Sequence, residues 1–365
     1  MTQVSVLGAG AFGTALAIHS HSLGHRVRVW AFDEGLPEQV AAKGENTPYL
    51  PGFPVPADME FTNDMAEALD GADLVLLAVP SGFMRSVTKE AAPHIPADAA
   101  LTSTAKGIEQ DSLALMSEVL AETLPEHAAH ATYLSGPSFA KDLASRLPAD
   151  VSLAASDIET ARRVQAILHS PLLRVYASDD VIGVQLGGAL KNVIAVACGA
   201  AFGLGMGASA LAAVMTRGLA ELARLGVALG ANPLTFLGLA GVGDLTLTCH
   251  GELSRNRQLG VKLASGKSAA EVVASQKAVA EGYKTAAAVH TLAERTGVEM
   301  PISEAVYLVC HQGASIRDGA TRLMTRERGG VRGGLCAGGW GGGWVGGGGG
   351  GGGWGSGAGR GGWGC

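Results

Sequence analysis

The body of this chain has little cysteine. Up to Arg328 it holds only Cys198, Cys249 and Cys310, an odd number without CxxC or metal-type spacing. That argues against a disulfide-framed fold, predicts unpaired and mostly buried thiols in a reducing compartment, and offers no metal site. Charge is also sparse, at 16% of residues, and its balance is −6. A nucleic-acid binder usually leaves a basic footprint, so no nucleic-acid partner is expected. Met1-Thr2-Gln3 passes directly into an apolar strand, with neither a basic n-region nor a cleavable apolar segment. The expected location is the cytoplasm.

Glycine is plentiful, but unevenly so. Of 54 glycines, 23 fall in residues 329–365, with four of the five tryptophans and two of the five cysteines. A segment of that composition cannot offset its ordering entropy by burial. It predicts a disordered extension with no part in catalysis, a tryptophan-bearing interaction tail being the alternative. The remaining 328 residues have an ordinary globular composition, enough for two domains of roughly 100–200 residues each.

Long uncharged runs are limited to one. From Val193 to Thr216 no charged residue occurs, and Lys191 and Arg217 flank the run. A membrane span needs about 20 strongly apolar residues. This run is alanine-rich and broken by Gly199, Gly203, Gly205 and Gly207, which predicts two buried helices joined by a glycine loop and no membrane span.

Up to about residue 180 strand and helix signals alternate. Strands are predicted at Val4–Leu7, Arg26–Trp30, Leu74–Val79, Leu101–Thr104, Thr132–Leu134, Val151–Ala154 and Leu172–Tyr176. The unbroken apolar run at Leu74–Val79 is the pattern of a strand buried on both faces, and the alternation implies an α/β fold with a doubly wound parallel sheet. Beyond it the pattern is helical: Val181–Ala201, Ala208–Leu229, Asn232–Leu239, Asn256–Ala264, Ser268–Ala274, Tyr283–Thr296 and Ile302–His311. The expected division is 1–180, 181–328 as an all-α domain, and the 329–365 tail.

Several stretches carry chemistry. Gly8-Ala9-Gly10-Ala11-Phe12-Gly13 follows an apolar strand and opens a helix, the context that makes GxGxxG a dinucleotide site. Gly8 would allow the tight turn, Gly10 the approach of a pyrophosphate, and Gly13 close packing of helix on sheet. Asp33, just past the second strand, could accept from a ribose 2′-hydroxyl; a solvated loop carboxylate is the competing reading. Lys106 follows a buried strand, where residues line the ligand crevice of an open sheet, and a cation there suits an anionic substrate. A plain surface lysine is its alternative.

Lys191 lies among apolar residues in Gln185-Leu-Gly-Gly-Ala-Leu-Lys191-Asn192, with Gly187 and Gly188 one turn earlier leaving space for a ligand or another backbone. An ammonium is rarely buried without a partner, and burial lowers its pKa toward that of a general acid/base. A snorkelling or structurally paired lysine competes with that reading. Asp244 is the one acid of an apolar glycine-rich stretch, and Lys191 is a candidate partner. Ser254 reads as a helix N-cap with Arg255 and Asn256 in the first turn, a phosphate-site arrangement; a capped helix with solvated arginines is its alternative.

Taken together, GAGAFGTALA, ENTPYLPG, LLAVPS, STAKGIE, LSGPSFAKDLA, VQLGGALKNVIAVACG, GLAGVGDLTLTC, SRNRQLG, VAEGYKTA and GVEMPISEAVY resemble the bacterial NAD(P)-dependent glycerol-3-phosphate dehydrogenases over about residues 1–326. The resemblance implies a Rossmann domain followed by a helical domain like that of 6-phosphogluconate dehydrogenase. It implies a homodimeric oxidoreductase that exchanges hydride between sn-glycerol 3-phosphate and dihydroxyacetone phosphate, using NAD or NADP and supplying glycerol 3-phosphate for phospholipid synthesis. Carried over by motif, Lys191 is the catalytic proton donor and acceptor. Lys106, Gly136, Ser138, Asn192, Asp244, Thr248, Ser254, Arg255 and Asn256 join Lys191 at the substrate. Gly8, Gly10, Ala11, Phe12, Gly13, Phe32, Asp33, Lys106, Ala140, Arg255, Val279 and Glu281 belong to the dinucleotide.

One departure concerns the cofactor: many members carry Arg or His where this chain has Phe32. A related dehydrogenase for another hydroxy acid and a non-catalytic dinucleotide-binding protein are the rival readings. Ser254-Arg255-Asn256 argues against the first, and Lys191 in an apolar helix against the second.

Overall fold

The computed structural model describes residues 1–274 and 280–325. Val279 and the glycine-rich tail lie outside the described residues. Eight strands form one sheet: β1 (Gln3–Leu7), β2 (Arg26–Trp30), β3 (Glu60–Thr62), β4 (Leu74–Leu77), β5 (Ala100–Ser103), β6 (Ala131–Ser135), β7 (Ala149–Ala154) and β8 (Leu173–Ser178). Their order is β3-β2-β1-β4-β5-β6-β7-β8, so the chain leaves β1 in both directions and opens a crevice between β1 and β4. Alternation sorts the side chains by face. Leu74 and Leu76 of β4 join Val4, Val6 and Leu16 in one core. Val75 and Leu77 join Leu7, Met84 and Leu120 in the other.

Two features depart from the expected sheet. β3 was not expected; it has only three residues, Glu60-Phe61-Thr62, at the sheet edge beside β2. The sheet is parallel as expected except at one place: β7 runs antiparallel to β6, and β8 follows β7. An apolar run reports burial and not direction, so the reversal leaves no mark on the pattern.

The glycine loop joins β1 to the Ala11–Ser22 helix. Gly8 has φ +116° and donates its N–H to the Trp30 carbonyl at 3.0 Å. A Cβ on Gly13 would collide with the Gly8 carbonyl, so the helix can start this close to the strand only with glycine there.

Past Ser178 the chain is helical. Asp180 caps the Val181–Gly203 helix, accepting from the Gly183 N–H at 2.9 Å, and binds Thr235 Oγ1 at 2.6 Å. This central helix is the one long and apolar enough to cross a membrane among the described residues, and 83% of the relevant stretch is buried inside the protein. It breaks at Leu204–Met206 before the Gly207–Ala228 helix, so the uncharged run does form two helices, but only the first is buried: the second buries residues only from Gly218 onward.

Around the central helix pack Arg255–Ala264, Glu281–Thr296 and Pro301–His311. A Cβ on Gly199 would strike the Arg257 carbonyl, and one on Gly260 the Val196 carbonyl. Glycine therefore lets these two helices cross backbone to backbone. Glu221, 1% exposed, accepts from the Ile302 and Ser303 N–H groups at 2.7 and 3.1 Å and so satisfies the start of the Pro301–His311 helix.

The stretch expected as a helix at Asn232–Leu239 is a 3-10 turn, Pro233–Leu237, followed by a π-type turn at Leu239–Gly243. That turn feeds a helix missing from the sequence reading, Asp244–His250. Its glycines read as a loop, yet Gly241 is needed because a Cβ there would strike the Phe236 backbone. A further helix, Ile316–Thr325, was also not expected.

Candidate active site

Two elements deliver cations to one carboxylate. Lys106 comes from the loop after β5, where strand ends line the crevice. Its Nζ donates to the Gly136 carbonyl and to Asp244 Oδ2, both at 2.8 Å. Lys191, from the middle of the central helix, donates to Asp244 Oδ1 at 2.5 Å and to Thr248 Oγ1 at 2.9 Å. Asp244 is 1% exposed and Lys191 6%. Asp244 and Thr248 lie one turn apart on the Asp244–His250 helix and so face the same ammonium.

The charges set each other's protonation. Burial lowers Lys191 to about 8, with Asp244 opposing the fall and Lys106 adding to it. Burial alone would raise the Asp244 carboxyl, but Lys106 and Lys191 together hold it below the ordinary carboxylate range. Two ammonium groups on one carboxylate leave a surplus positive charge at the buried end of the crevice.

A second chain of hydrogen bonds runs alongside. Asn192 Nδ2 donates to the Lys106 carbonyl at 3.2 Å, and Asn192 Oδ1 accepts from Asn256 Nδ2 at 2.8 Å. Asn256 Oδ1 accepts from the Gly282 N–H at 2.9 Å. Asn192 Nδ2 also reaches Glu281 Oε2 at 3.4 Å. Burial raises the Glu281 carboxyl against Arg255, Lys191, Lys106 and Lys284. Ser254 caps the Arg255–Ala264 helix, its Oγ accepting from the Arg257 N–H at 3.2 Å. The first-turn donors and the exposed Arg255 are thereby left beside the cluster. Ser138 Oγ donates to the same Gly136 carbonyl as Lys106, at 3.1 Å.

The structure thus brings together Lys106, Gly136, Ser138, Lys191, Asn192, Asp244, Thr248, Asn256 and Glu281, with Ser254 and Arg255 at the adjoining helix start. Gly187 and Gly188 have the role of admitting protein rather than ligand. A Cβ on Gly187 would strike the Ala240 carbonyl, and one on Gly188 would crowd Ser135 Oγ and the Lys106 stem.

The other predicted residues sit apart, around the glycine loop and the end of β2. The Ala11–Ser22 helix starts without a side-chain cap and without an acid in its first turn, and a Cβ on Gly10 would point into open space. Uncapped donors beside an open cradle fit a pyrophosphate. Phe12 and Ala140 pack at the edge of the sheet core. Phe32 is 80% exposed, and Asp33 Oδ2 accepts from the Tyr49 hydroxyl.

Sequence reasoning assigned no role to Asn46 or Tyr49, although both lie in the ENTPYLPG stretch. Asn46 is fully buried and donates to the Ala9 carbonyl and to Thr14 Oγ1, both at 2.8 Å. It thereby fixes the glycine loop.

Residues 3–161 match the model for the N-terminus, and 180–321 the model for the C-terminus, of NAD-dependent glycerol-3-phosphate dehydrogenase. The chain belongs to that family. It is an NAD(P)-dependent oxidoreductase acting on a CH–OH group. The glycerol-3-phosphate dehydrogenase [NAD(P)+] of Myxococcus xanthus is 48% identical over 324 residues, covering 88% of this chain and 97% of that one. Its counterpart from Citrifermentans bemidjiense is 46% identical over 325 residues, covering 89% and 97%. The crystal structure of the Coxiella burnetii glycerol-3-phosphate dehydrogenase aligns with a TM-score of 0.84 at 35% identity, covering 89% of this chain and 99% of that one.

Proposed function

We propose that this enzyme interconverts sn-glycerol 3-phosphate and dihydroxyacetone phosphate, with Lys191 as proton donor and acceptor. The reading rests on one observation above all: a lysine buried in an apolar helix, lowered to about 8 and aimed by Asp244 and Thr248 at the crevice end. A bound nicotinamide supplies or takes the hydride. As the substrate carbonyl gains negative charge, the Lys191 ammonium stabilises it and delivers its proton, acting as oxyanion partner and general acid. In the reverse direction the neutral amine takes the hydroxyl proton.

Lys106 keeps Asp244 charged when Lys191 gives up its proton, so the carboxylate need not titrate with it. Arg255 and the first turn of the Arg255–Ala264 helix take the phosphate, and Asn192 and Asn256 hold that turn against the lysine helix. Binding energy from the non-reacting phosphate thus goes into positioning the carbonyl. Gly8, Gly10, Ala11, Phe12 and Gly13 seat the pyrophosphate end of the dinucleotide, while Ala140 and Glu281 complete the seat.

The change from sheet to helix between β8 and the central helix supports a division of roles near residue 180. The free thiols Cys198, Cys249 and Cys310, all buried, support a reducing cytoplasmic setting, and we read the assembly as a homodimer. Lys191→Ala is expected to lower kcat for dihydroxyacetone phosphate reduction by at least about 100-fold with nucleotide affinity nearly unchanged. Near-normal turnover in that variant removes Lys191 from the mechanism.

A further inference from the structure

NAD(H) and NADP(H) differ by one group, the 2′-phosphate, which Rossmann domains read at the C-terminal end of the second strand. In this chain that end is firmly built. The Ala31 N–H donates to the Thr62 carbonyl at 2.9 Å. Asn63 Nδ2 donates to the Ala31 carbonyl at 2.6 Å and to the Asp33 carbonyl at 3.1 Å, while Trp30 Nε1 donates to the Asn63 carbonyl at 3.1 Å. Asn63 therefore pins the backbone on both sides of Phe32. The Phe32 ring stands out edge-on to Trp30, with centroids 6.3 Å apart.

Next to it, Asp33 receives the Tyr49 hydroxyl on Oδ2, which leaves Oδ1 for a second donor. Tyr49 is a neutral donor throughout the working range, because its hydrogen bond to Asp33, helped by burial, pushes the phenol up to about 12.

The charge around this end is one-sided. From Ala31 to Asn63 the chain holds six acids, Asp33, Glu34, Glu38, Glu45, Asp58 and Glu60, and a single cation, Lys43, with no Arg or His. Lys43 closes the Leu36–Lys43 helix, roughly 10 Å of helix rise from its start. Arg28, on β2 itself, is committed elsewhere: it pairs with Glu60 at 2.7 Å and donates to the Glu67 and Asp70 carbonyls at 3.1 and 3.0 Å. A 2′-phosphate would add about two negative charges to a neighbourhood that offers it a phenyl ring and a carboxylate.

We propose that this enzyme selects NAD(H) over NADP(H), with Asp33 taking the ribose 2′-hydroxyl, Tyr49 as the residue that positions Asp33, and Phe32 withholding the cation that a 2′-phosphate needs. The inference rests on the dinucleotide seat proposed above and adds its specificity. Rejection comes from a repulsive group rather than from extra contacts.

The test is binding, read without turnover. The full chain is titrated separately with NADH and NADPH, following nucleotide fluorescence and heat. NADH is expected to bind at least about tenfold more tightly. Phe32→Arg should close or reverse that gap, and Asp33→Asn should narrow it by weakening NADH. Tyr49→Phe should weaken NADH about three- to tenfold, the size of one hydrogen bond, while NADPH and the thermal midpoint stay as they were.

Equal or tighter NADPH binding by the unaltered chain overturns the preference. Tyr49→Phe weakening both nucleotides alike overturns the positioning role. Binding of neither nucleotide by a normally melting protein sinks the seat itself, and the preference with it.

Discussion

The two aspartates at opposite ends of the crevice are handled in opposite ways. Asp244 is sealed, with both oxygens committed to ammonium groups from different parts of the chain. Asp33 is exposed, held at one oxygen by a single hydroxyl. The first is a buried ionic junction, in which removing one member leaves uncompensated charge. The second is a surface fixture whose loss leaves the surroundings solvated. The end proposed to perform the chemistry is therefore costly to alter, and the end proposed to choose the nucleotide is tolerant.

The largest expected effect tests this contrast directly. Asp244→Ala strands the buried Lys191 ammonium and takes one partner from the half-buried Lys106, and should destabilise the protein by about 3–5 kcal/mol. Asp33→Ala should stay within about 0.5 kcal/mol, as surface changes do. Denaturant unfolding of the two variants measures both numbers, and comparable losses would dissolve the distinction. Next in size, Arg255→Ala removes an exposed charged contact to the phosphate and should weaken dihydroxyacetone phosphate binding by about 1.5–3 kcal/mol. An unmoved KM for that substrate would withdraw the phosphate site from the helix start.

The smallest effect is a slope. With Lys191 as the proposed proton donor, kcat/KM for ketone reduction should fall above about pH 8, by about one decade per pH unit, while glycerol 3-phosphate oxidation rises toward the same value and levels off. Stability should move the other way. The folded lysine titrates near 8 and the free side chain near 10.5, so the unfolded chain holds more protons in that window and this group's contribution to stability rises with pH across it. Lys191→Met should flatten both trends, and a reduction limb that persists in the variant would assign the pH dependence to another group.

Much of the site was legible where a residue breaks a local rule. Lys191 and Asp244 stood out as charges in apolar stretches, and Asp244 pointed to Lys191 as its candidate partner. Ser254 announced its cap, and the strand-glycine-helix succession announced the phosphate loop. What stayed hidden depends on partners distant in sequence. Lys106 is 138 residues from Asp244, and nothing near either one marks the pairing. Asn46 and Tyr49 lie in a loop of ordinary polarity, and their value comes from the carbonyl and carboxylate that folding places opposite them. The direction of β7 was hidden because both directions bury the same side chains. The Asp244–His250 helix was hidden because the glycines before it serve a backbone crossing that periodicity does not show.

The bridge from Lys106 to Asp244 has a consequence for how this enzyme can be recombined. One end of it belongs to the sheet and the other to the helices, and Asn192 reinforces it by holding the backbone carbonyl of Lys106 itself. Neither half carries the whole of the proposed reaction centre, which straddles the seam between them. A chimera that joins the sheet of one relative to the helices of another inherits activity only if the loop after β5 arrives in register with the incoming carboxylate. Nucleotide choice, if Phe32, Asp33 and Tyr49 set it as proposed, can travel with the sheet alone.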